Sequence, residues 1–327
     1  MSFIPLPSNR PPERFYRGGS RITDFRGEPA ALDHEPEDWI GSVTTVNGEP
    51  EQGLTTLPDG RLLRSAVESD PEHWLGAEHV DRFGADTKLL VKLLDAGQRL
   101  PVHAHPSTAW ASEHLGLAHG KAEAWYILQG GDVHLGLKRD LPLDEVAALV
   151  ESQDNAALLA ELNHLTVEAG DVVFVPPGVL HAIGEGVFLL EVQEPEDLSI
   201  LLEWGDFDLD GVNDGHLGLG FDVALTGVEI TERTGAALDG LVRSTGYGES
   251  VLPAEADEFF RIERREIAGD AELARGFAIV VVAAGEVTLD GLADPLPSGT
   301  TFLAPYSAGE LRFRGSGEVL LCRPPRT

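Results

Sequence analysis

Short apolar segments, separated by turns rich in glycine and proline, recur along this chain of 327 residues. Residues 123–128 are aromatic and β-prone, stop at Gly130-Gly131 and resume at residues 133–137, as the two arms of a hairpin would. Residues 172–175 form a similar apolar run that ends in the turn Pro176-Pro177-Gly178. Many short strands joined in this way are typical of a sandwich or barrel and argue against a parallel α/β sheet. We therefore predict a mainly β fold.

One interval follows the helical period instead. Between residues 141 and 164, apolar side chains recur at spacings of three and four residues, with an interruption near Asp154-Asn155. These side chains are Val146, Leu149, Leu158, Leu159 and Leu162. The spacing predicts two helices inserted into a β domain at about residues 141–164.

The β pattern occurs twice along the chain. Residues 206–220 are rich in glycine and aspartate and have little periodicity, which predicts a linker. A second series of strand-like segments follows it, with similar turns but no histidine. We predict a first domain over residues 1–205, a linker over 206–220, and a second copy of the architecture over 221–327.

Charge and cysteine content restrict the partners and the compartment. The formal net charge is −31 at pH 7, and such a field repels polyanions, so we expect neither nucleic acid nor a membrane surface as a partner. The single cysteine, Cys322, excludes an internal disulfide framework and suits a reducing compartment. The amino-terminal residues lack the apolar core of a signal peptide, and no stretch approaches the ~20 apolar residues of a membrane helix. The expectation is a cytoplasmic protein, as a monomer or homodimer.

Three imidazoles and one carboxylate stand in segments that belong to this β pattern. His103 and His105 are two residues apart, so in an extended strand both project to one face and can share one ion. Glu123 and His181, on neighbouring strands, would complete a set that leaves one or two positions open for substrate. The four residues together predict a catalytic site for a divalent metal. Residues 1–205 are therefore the predicted metal-binding catalytic domain, and residues 221–327, which contain no histidine, are predicted to be metal-free.

The spacing of these residues resembles the two motifs of the cupin superfamily. The first motif matches Gly97, His103, His105, Glu123 and Gly130, and the second matches Gly170, Pro176, Gly178 and His181. The segment between His105 and Glu123 is far longer than in a generic cupin. The resemblance implies two jelly-roll domains, with the helical insertion in the first.

The long segment before the aromatic strand resembles the type I mannose-6-phosphate isomerases. It closes with Gly120-Lys121-Ala122-Glu123, where that family has Gly-Lys-Thr-Glu before the same strand. Further similarity lies at Gly18-Gly19, at residues 89–96, at residues 177–184 and at residues 191–193. The resemblance covers nearly the whole chain. It implies a metal-dependent sugar isomerase of carbohydrate metabolism that interconverts mannose 6-phosphate and fructose 6-phosphate.

The resemblance also implies a ligand set and a metal. The family's ligands fall on His103, His105, Glu123 and His181, and the first of these is normally Gln in the family. The family implies one zinc ion. The nitrogen and oxygen donors present here also suit iron, manganese, nickel or cobalt.

Five further residues are candidates for contact with a sugar or sugar phosphate. By resemblance, Lys121 and Glu191 are the catalytic candidates, Lys121 as a cation beside the substrate and Glu191 as a base or proton shuttle for the enediol step. Lys92 matches a family lysine and either faces the site or extends outward. Gln193 shares a strand face with Glu191, and Trp110 is a candidate wall for sugar stacking.

One position departs from the family. Leu201 stands where the family has a substrate-site arginine, and a leucine cannot replace a guanidinium as an anion partner. Either another cation takes that role, for which Arg14, Arg17 and Arg21 are candidates, or the substrate differs. The alternatives are therefore the same metal site acting on another or an unphosphorylated sugar or in another cupin reaction, and a non-catalytic sugar-binding cupin.

Overall fold

The structure, a computed structural model, describes residues 3–327 and confirms a mainly β fold. All strand pairs between its named strands are antiparallel, and they form three sheets within the described part of the chain. The strands are β1 Ile4–Pro5, β2 Glu37–Ile40, β3 Leu90–Asp95, β4 His103–Ala104, β5 Glu123–Gln129, β6 Gly131–Leu137, β7 Leu162–Val167, β8 Asp171–Val175, β9 His181–Ile183, β10 Phe188–Gln193, β11 Ile200–Leu201, β12 Val242–Ser244, β13 Arg261–Ala268, β14 Ala271–Leu273, β15 Ala278–Leu289, β16 Leu296–Pro297, β17 Thr301–Ala304 and β18 Leu311–Arg323.

Short helices connect and cover the strands. The α-helices are α1 Arg21–Arg26, α2 Leu63–Ser69, α3 Pro71–Leu75, α4 Ala77–Phe83, α5 Thr108–Leu115, α6 Leu143–Ser152, α7 Asn155–Glu161, α8 Gly211–Asp214, α9 Phe221–Ala224 and α10 Ala236–Asp239. Three 3-10 helices are Leu225–Gly227, Ala254–Glu258 and Tyr306–Ala308. Over residues 3–327, no helix has the length and apolar content needed to cross a membrane.

Two of the sheets face each other in the amino-terminal half. The six-stranded sheet has the order β12-β8-β5-β10-β3-β2, and the five-stranded sheet has the order β11-β4-β9-β6-β7. Every residue of β3 and β10 is buried, because both strands lie in the middle of their sheet and are covered on both faces. This pair of strands carries Lys92 and Glu191 into the interior.

The predicted helical insertion is α6 and α7. Val146 and Val150 lie one turn apart on α6 and are both buried, as the sequence spacing predicts for an amphipathic helix. The Asp154 side chain accepts a hydrogen bond from the backbone N–H of Ala157 at 3.0 Å and so caps the start of α7. The break near Asp154-Asn155 is therefore the boundary between two helices.

The third sheet belongs to the carboxy-terminal half and has the order β1-β17-β15-β18-β13, with β14 also paired to β18 and β16 also paired to β15. Side chains of β15 alternate between two cores, since Ile279 packs into the large core that both halves share and Val280 packs into a separate core. Two pairings cross the predicted domain limits: β1 joins β17, and β12 joins β8. The limits at residues 205 and 221 stay a prediction.

Candidate metal centre

The four predicted ligands meet between the two sheets of the amino-terminal half. His103 on β4 lies directly opposite His181 on β9, and the side-chain donors of His103, His105 and His181 all lie within 4.8 Å of one another. Glu123 reaches them from β5 in the facing sheet. Its Oε2 lies 3.0 Å from Nε2 of His105, and its Oε1 lies 3.3 Å from Nε2 of His181.

Two glycines allow these segments to come together. A Cβ on Gly120 would lie 2.4–2.5 Å from the backbone of Pro106, Ser107 and Thr108, so only glycine lets residues 120–123 pass beside the strand that bears His105. Gly178 has φ of 87°, and its N–H donates to the carbonyl of His105 at 2.6 Å. The motif glycines thus bring backbone segments together beside the metal ligands.

Each imidazole is oriented by a backbone carbonyl. Nδ1 of His103 lies 2.8 Å from the Pro101 oxygen, Nδ1 of His105 lies 2.6 Å from the Leu198 oxygen, and Nδ1 of His181 lies 2.9 Å from the Val179 oxygen. A proton on Nδ1 makes these contacts hydrogen bonds and leaves the lone pair of Nε2 directed at the centre. This is the orientation that metal-binding histidines adopt.

The protonation states also suit a cation. Burial lowers the pKa of His103 well below its ordinary value and that of His105 to about 3, so both rings are neutral near pH 7. Burial alone would raise the pKa of Glu123, but the Lys121 ammonium and His105 outweigh it and hold the pKa well below its ordinary value. Nε2 of His181 and Oε2 of Glu123 are buried and make no hydrogen bond with any residue from 3 to 327. The donors therefore fit a single divalent metal.

Both predicted catalytic residues lie beside this centre. The Lys121 ammonium is buried, 3.0 Å from Nε2 of His105 and 3.1 Å from Oε2 of Glu123. Glu191 is also buried, and its Oε1 lies 3.3 Å from the Lys92 ammonium. Lys92, which the sequence left open to either direction, points inward and lines the same cavity as Lys121, Glu123, Glu191 and His103.

Two predicted substrate-binding residues do not line this cavity. The indole N–H of Trp110 donates to the Thr226 hydroxyl at 2.8 Å, and its ring packs close to Gly227. The side-chain amide of Gln193 donates to the backbone oxygens of Glu194 and Glu196 at 3.0 and 2.6 Å. These donors are engaged by the protein, whereas the side-chain oxygen of Gln193 is buried and has no hydrogen-bond partner among residues 3–327. Contact of either residue with substrate stays a prediction.

The structure adds a buried charge network that sequence reasoning missed. Glu37 accepts hydrogen bonds from the Tyr16 hydroxyl at 2.5 Å and from the Trp39 indole at 2.7 Å. Its Oε2 also lies 3.9 Å from the Lys92 ammonium and 3.5 Å from Nε of Arg14. Burial alone would raise the pKa of Glu37, but Arg14 and Lys92 lower it, so this carboxylate stays charged. Its sequence signal was weak, because Glu37 is one of two consecutive acidic residues in a strand of only four residues, Glu37–Ile40.

Among the three candidate arginines, Arg14 lies at the cavity. Arg17 contacts Gln98 and Arg21 contacts Asp95, whereas Arg14 lies 3.4 Å from the carboxylate of Asp197. Four residues, Arg14, Phe15, Asp197 and Ser199, line both the inner cavity of about 40 Å³ and an outer cavity of about 330 Å³. The two cavities therefore adjoin at these four residues, and Leu201 lies on the wall of the outer one.

Comparisons with known proteins agree with the predicted resemblance. No family model matches the chain. A mannose-6-phosphate isomerase of Streptococcus mutans is 26% identical over 302 residues, which are 87% of this chain and 89% of that protein. The mannose-6-phosphate isomerase ManA of Bacillus subtilis is 28% identical over 318 residues, 93% of this chain and 94% of that protein.

Solved structures show the same fold. A putative mannosephosphate isomerase from Archaeoglobus fulgidus superposes with a TM-score of 0.78 at 22% identity and covers 100% of this chain and 99% of its own. The mannose 6-phosphate isomerase of Bacillus subtilis gives a TM-score of 0.75 at 23% identity, covering 98% and 99% of the two chains. This chain is therefore similar along almost its whole length to curated mannose-6-phosphate isomerases, and it shares the mainly β fold of the solved structures.

Proposed function

We propose that this chain is a metal-dependent aldose–ketose isomerase that interconverts mannose 6-phosphate and fructose 6-phosphate. The observation that carries the proposal is one cavity lined by His103, Glu123, Lys121, Glu191 and Lys92. An enediol reaction needs a base and positive groups that stabilise the developing oxyanion. The buried carboxylate can act as the base, and the metal donor set and the two buried ammonium groups can provide the positive charge. Curated relatives that match 87–94% of the chain carry the name mannose-6-phosphate isomerase, which supports the same substrate here.

The proposed ligands of the metal are His103, His105, Glu123 and His181. When bound, a divalent metal supplies a positive centre that polarises substrate oxygens and stabilises negative charge as it develops. We propose zinc, which the family resemblance implies. Iron, manganese, nickel or cobalt would also suit three imidazoles and a carboxylate.

Glu191 is the proposed base for proton transfer between C2 and C1 of the sugar. Burial raises the pKa of its carboxyl, and Lys92 and Lys121 partly oppose this rise, so the group is poised to accept and return a proton. Burial alone would lower the pKa of Lys92, but Glu37 and Glu191 raise it and keep the ammonium charged. Lys121, beside the ligands, is proposed to stabilise the oxygen that becomes negative during the step.

Metal analysis and substrate assays on the purified protein test the proposal. We expect about one metal per chain and turnover of mannose 6-phosphate to fructose 6-phosphate in a coupled assay. In His181→Ala, both bound metal and turnover should be lost, whereas His164→Ala, which changes a half-exposed histidine on β7, should retain both. A metal-free protein with full activity would contradict the metal centre. A metal-loaded protein that binds sugars and converts none would favour a sugar-binding cupin.

A further inference from the structure

The outer cavity is lined by carboxylates. Five acidic side chains face it, and one cation, Arg14, does so within the described residues. The acidic residues are Glu13, Glu49, Asp197, Asp208 and Asp214. All except Asp197 are exposed, and none of the four exposed ones forms an ion pair with a residue from 3 to 327. The local potential at this opening is therefore negative.

Arg14 does not offset this charge, because two carboxylates already surround it. Its guanidinium lies 3.4 Å from Asp197 and 3.5 Å from Glu37, and its side chain is 12% exposed. Burial alone would lower the pKa of Arg14, but Glu37 and Asp197 raise it, and Arg14 in turn holds the pKa of Asp197 far below its ordinary value. An incoming anion would have to compete with both partners for this one guanidinium.

A substrate bound at the metal centre must extend into the outer cavity. The inner cavity of about 40 Å³ holds only a few water molecules and is too small for a whole hexose. The reacting C1–C2 end can lie there, and the far end of the sugar then lies near Arg14, Phe15, Asp197 and Ser199, the four residues that line both cavities. A phosphate on C6 would thus lie among the carboxylates.

We infer that this acidic opening offsets most of the binding advantage of a phosphate, so that the same centre also isomerises unphosphorylated mannose to fructose. The inference rests on the proposed isomerase function. A dianion near several like charges is repelled, whereas a neutral hydroxymethyl group is not. The step balances within the sugar: the proton on C2 leaves and one is added to C1, the hydroxyl proton of O2 is lost, and O1 gains one.

Steady-state kinetics of the metal-loaded protein with both sugars test this inference. We expect kcat/KM for mannose to lie within about 100-fold of that for mannose 6-phosphate, because binding at the remote end contributes little. We divide kcat/KM for mannose 6-phosphate by kcat/KM for mannose. This ratio should rise several-fold as ionic strength increases from about 0.01 to 0.15 M, because the Debye length shortens from about 30 to 8 Å and the repulsion of the phosphate is screened. A gap well above 100-fold, or a ratio that does not rise with salt, would overturn the inference.

A double variant locates the effect in the opening. Asp208→Asn with Asp214→Asn removes two exposed carboxylates, and the same ratio should rise about fivefold at low salt. The matched control is Glu286→Gln with Asp294→Asn, two exposed carboxylates of the carboxy-terminal sheet region that do not line the cavity. An equal rise in the control would assign the effect to net charge alone and refute the local explanation. If the wild type converts neither sugar, the proposed function fails, and that result is distinct from turnover of mannose 6-phosphate alone.

Discussion

Glu191 and Lys92 are paired residues on neighbouring strands, β10 and β3, and both are buried. In such a place the charge of each depends on the other, because an isolated charge in the interior is costly. The same two side chains are therefore expected to contribute both to catalysis and to the stability of the fold. Substitution of Glu191 tests the contribution to catalysis, and substitution of Lys92 tests the contribution to stability.

Glu191→Gln should lower kcat about 10²- to 10⁴-fold, since it removes the proposed base. The bound metal should remain at the wild-type amount, because Glu191 is not among the proposed ligands. Steady-state kinetics and metal analysis of the same preparation check this. Glu196→Gln is the control, a partly buried glutamate that does not line the inner cavity. A Glu191→Gln protein with wild-type kcat would exclude Glu191 as the base.

Lys92→Met should destabilise the fold by about 3–5 kcal/mol, because it leaves Glu37 and Glu191 buried without their shared cation. Denaturant unfolding at pH 7 measures the change. Lys138→Met, which alters an exposed lysine, should change the free energy of unfolding by only about 0.5 kcal/mol. A Lys92→Met protein as stable as Lys138→Met would show that the buried pair contributes little.

At the scale of secondary-structure elements, the segment between α5 and β5 determines where Lys121 lies. His119 lies 2.7 Å from Asp86 and 3.7 Å from Glu194, and Glu194 also accepts the backbone N–H of Ala122 at 2.9 Å. These contacts fix the chain on both sides of Lys121, at His119 and at Ala122. They join three segments that are distant in sequence.

His119→Gln should destabilise the protein in a pH-dependent way. Burial alone would lower the pKa of His119, but Asp86 and Glu194 raise it from 6.5 to about 9. A raised pKa contributes stability that is fully present below pH 6.5 and is lost as pH rises through 9. The variant should therefore be about 1–2 kcal/mol less stable than the wild type at pH 6 and nearly equal above pH 9. Chemical denaturation across this range measures it, and a constant difference at all pH values would contradict the ion pair.

At the scale of the whole molecule, one large apolar core includes both halves of the chain. It contains Leu190 and Val192 from the six-stranded sheet together with Ile279, Val281 and Leu320 from the carboxy-terminal sheet. A second core lies on the other face of that sheet and includes Ile267. The shared core predicts that the halves unfold together.

Ile279→Ala, in the shared core, should cost about 2–5 kcal/mol and shift a single calorimetric transition to lower temperature. Ile267→Ala makes the same chemical change in the second core and should shift the same transition. Differential scanning calorimetry checks both variants. Two separate transitions, with each variant shifting a different one, would show independent halves.

Metal removal should lower the stability of the whole protein, because a ligand that binds only the native state stabilises it. Dialysis against a chelator should reduce Tm and abolish activity, and adding the divalent ion back should restore both. His103→Ala is the control, since its Tm should no longer respond to chelator. A wild-type Tm that is insensitive to chelation would argue against the proposed centre.

The sequence alone determined features that depend on local periodicity. The alternation of side chains along a strand placed His103 and His105 on one face, and the spacings of three and four predicted α6 and α7. Turn residues marked the strand ends, and the motif spacings indicated the family. All of these are properties of the order and spacing of residues along the chain, so they can be recognised without the fold.

Only the tertiary structure decided which distant groups meet. Arg14, Glu37, Lys92 and Asp197 come together from segments up to 183 residues apart, and Trp110 and Gln193 lie outside the cavity. These placements depend on strand order, register and the facing of two sheets, which no local pattern encodes. The sequence predicted a metal centre, and the tertiary structure decided that a cavity lined by five carboxylates adjoins it, because long-range packing brings those charges together.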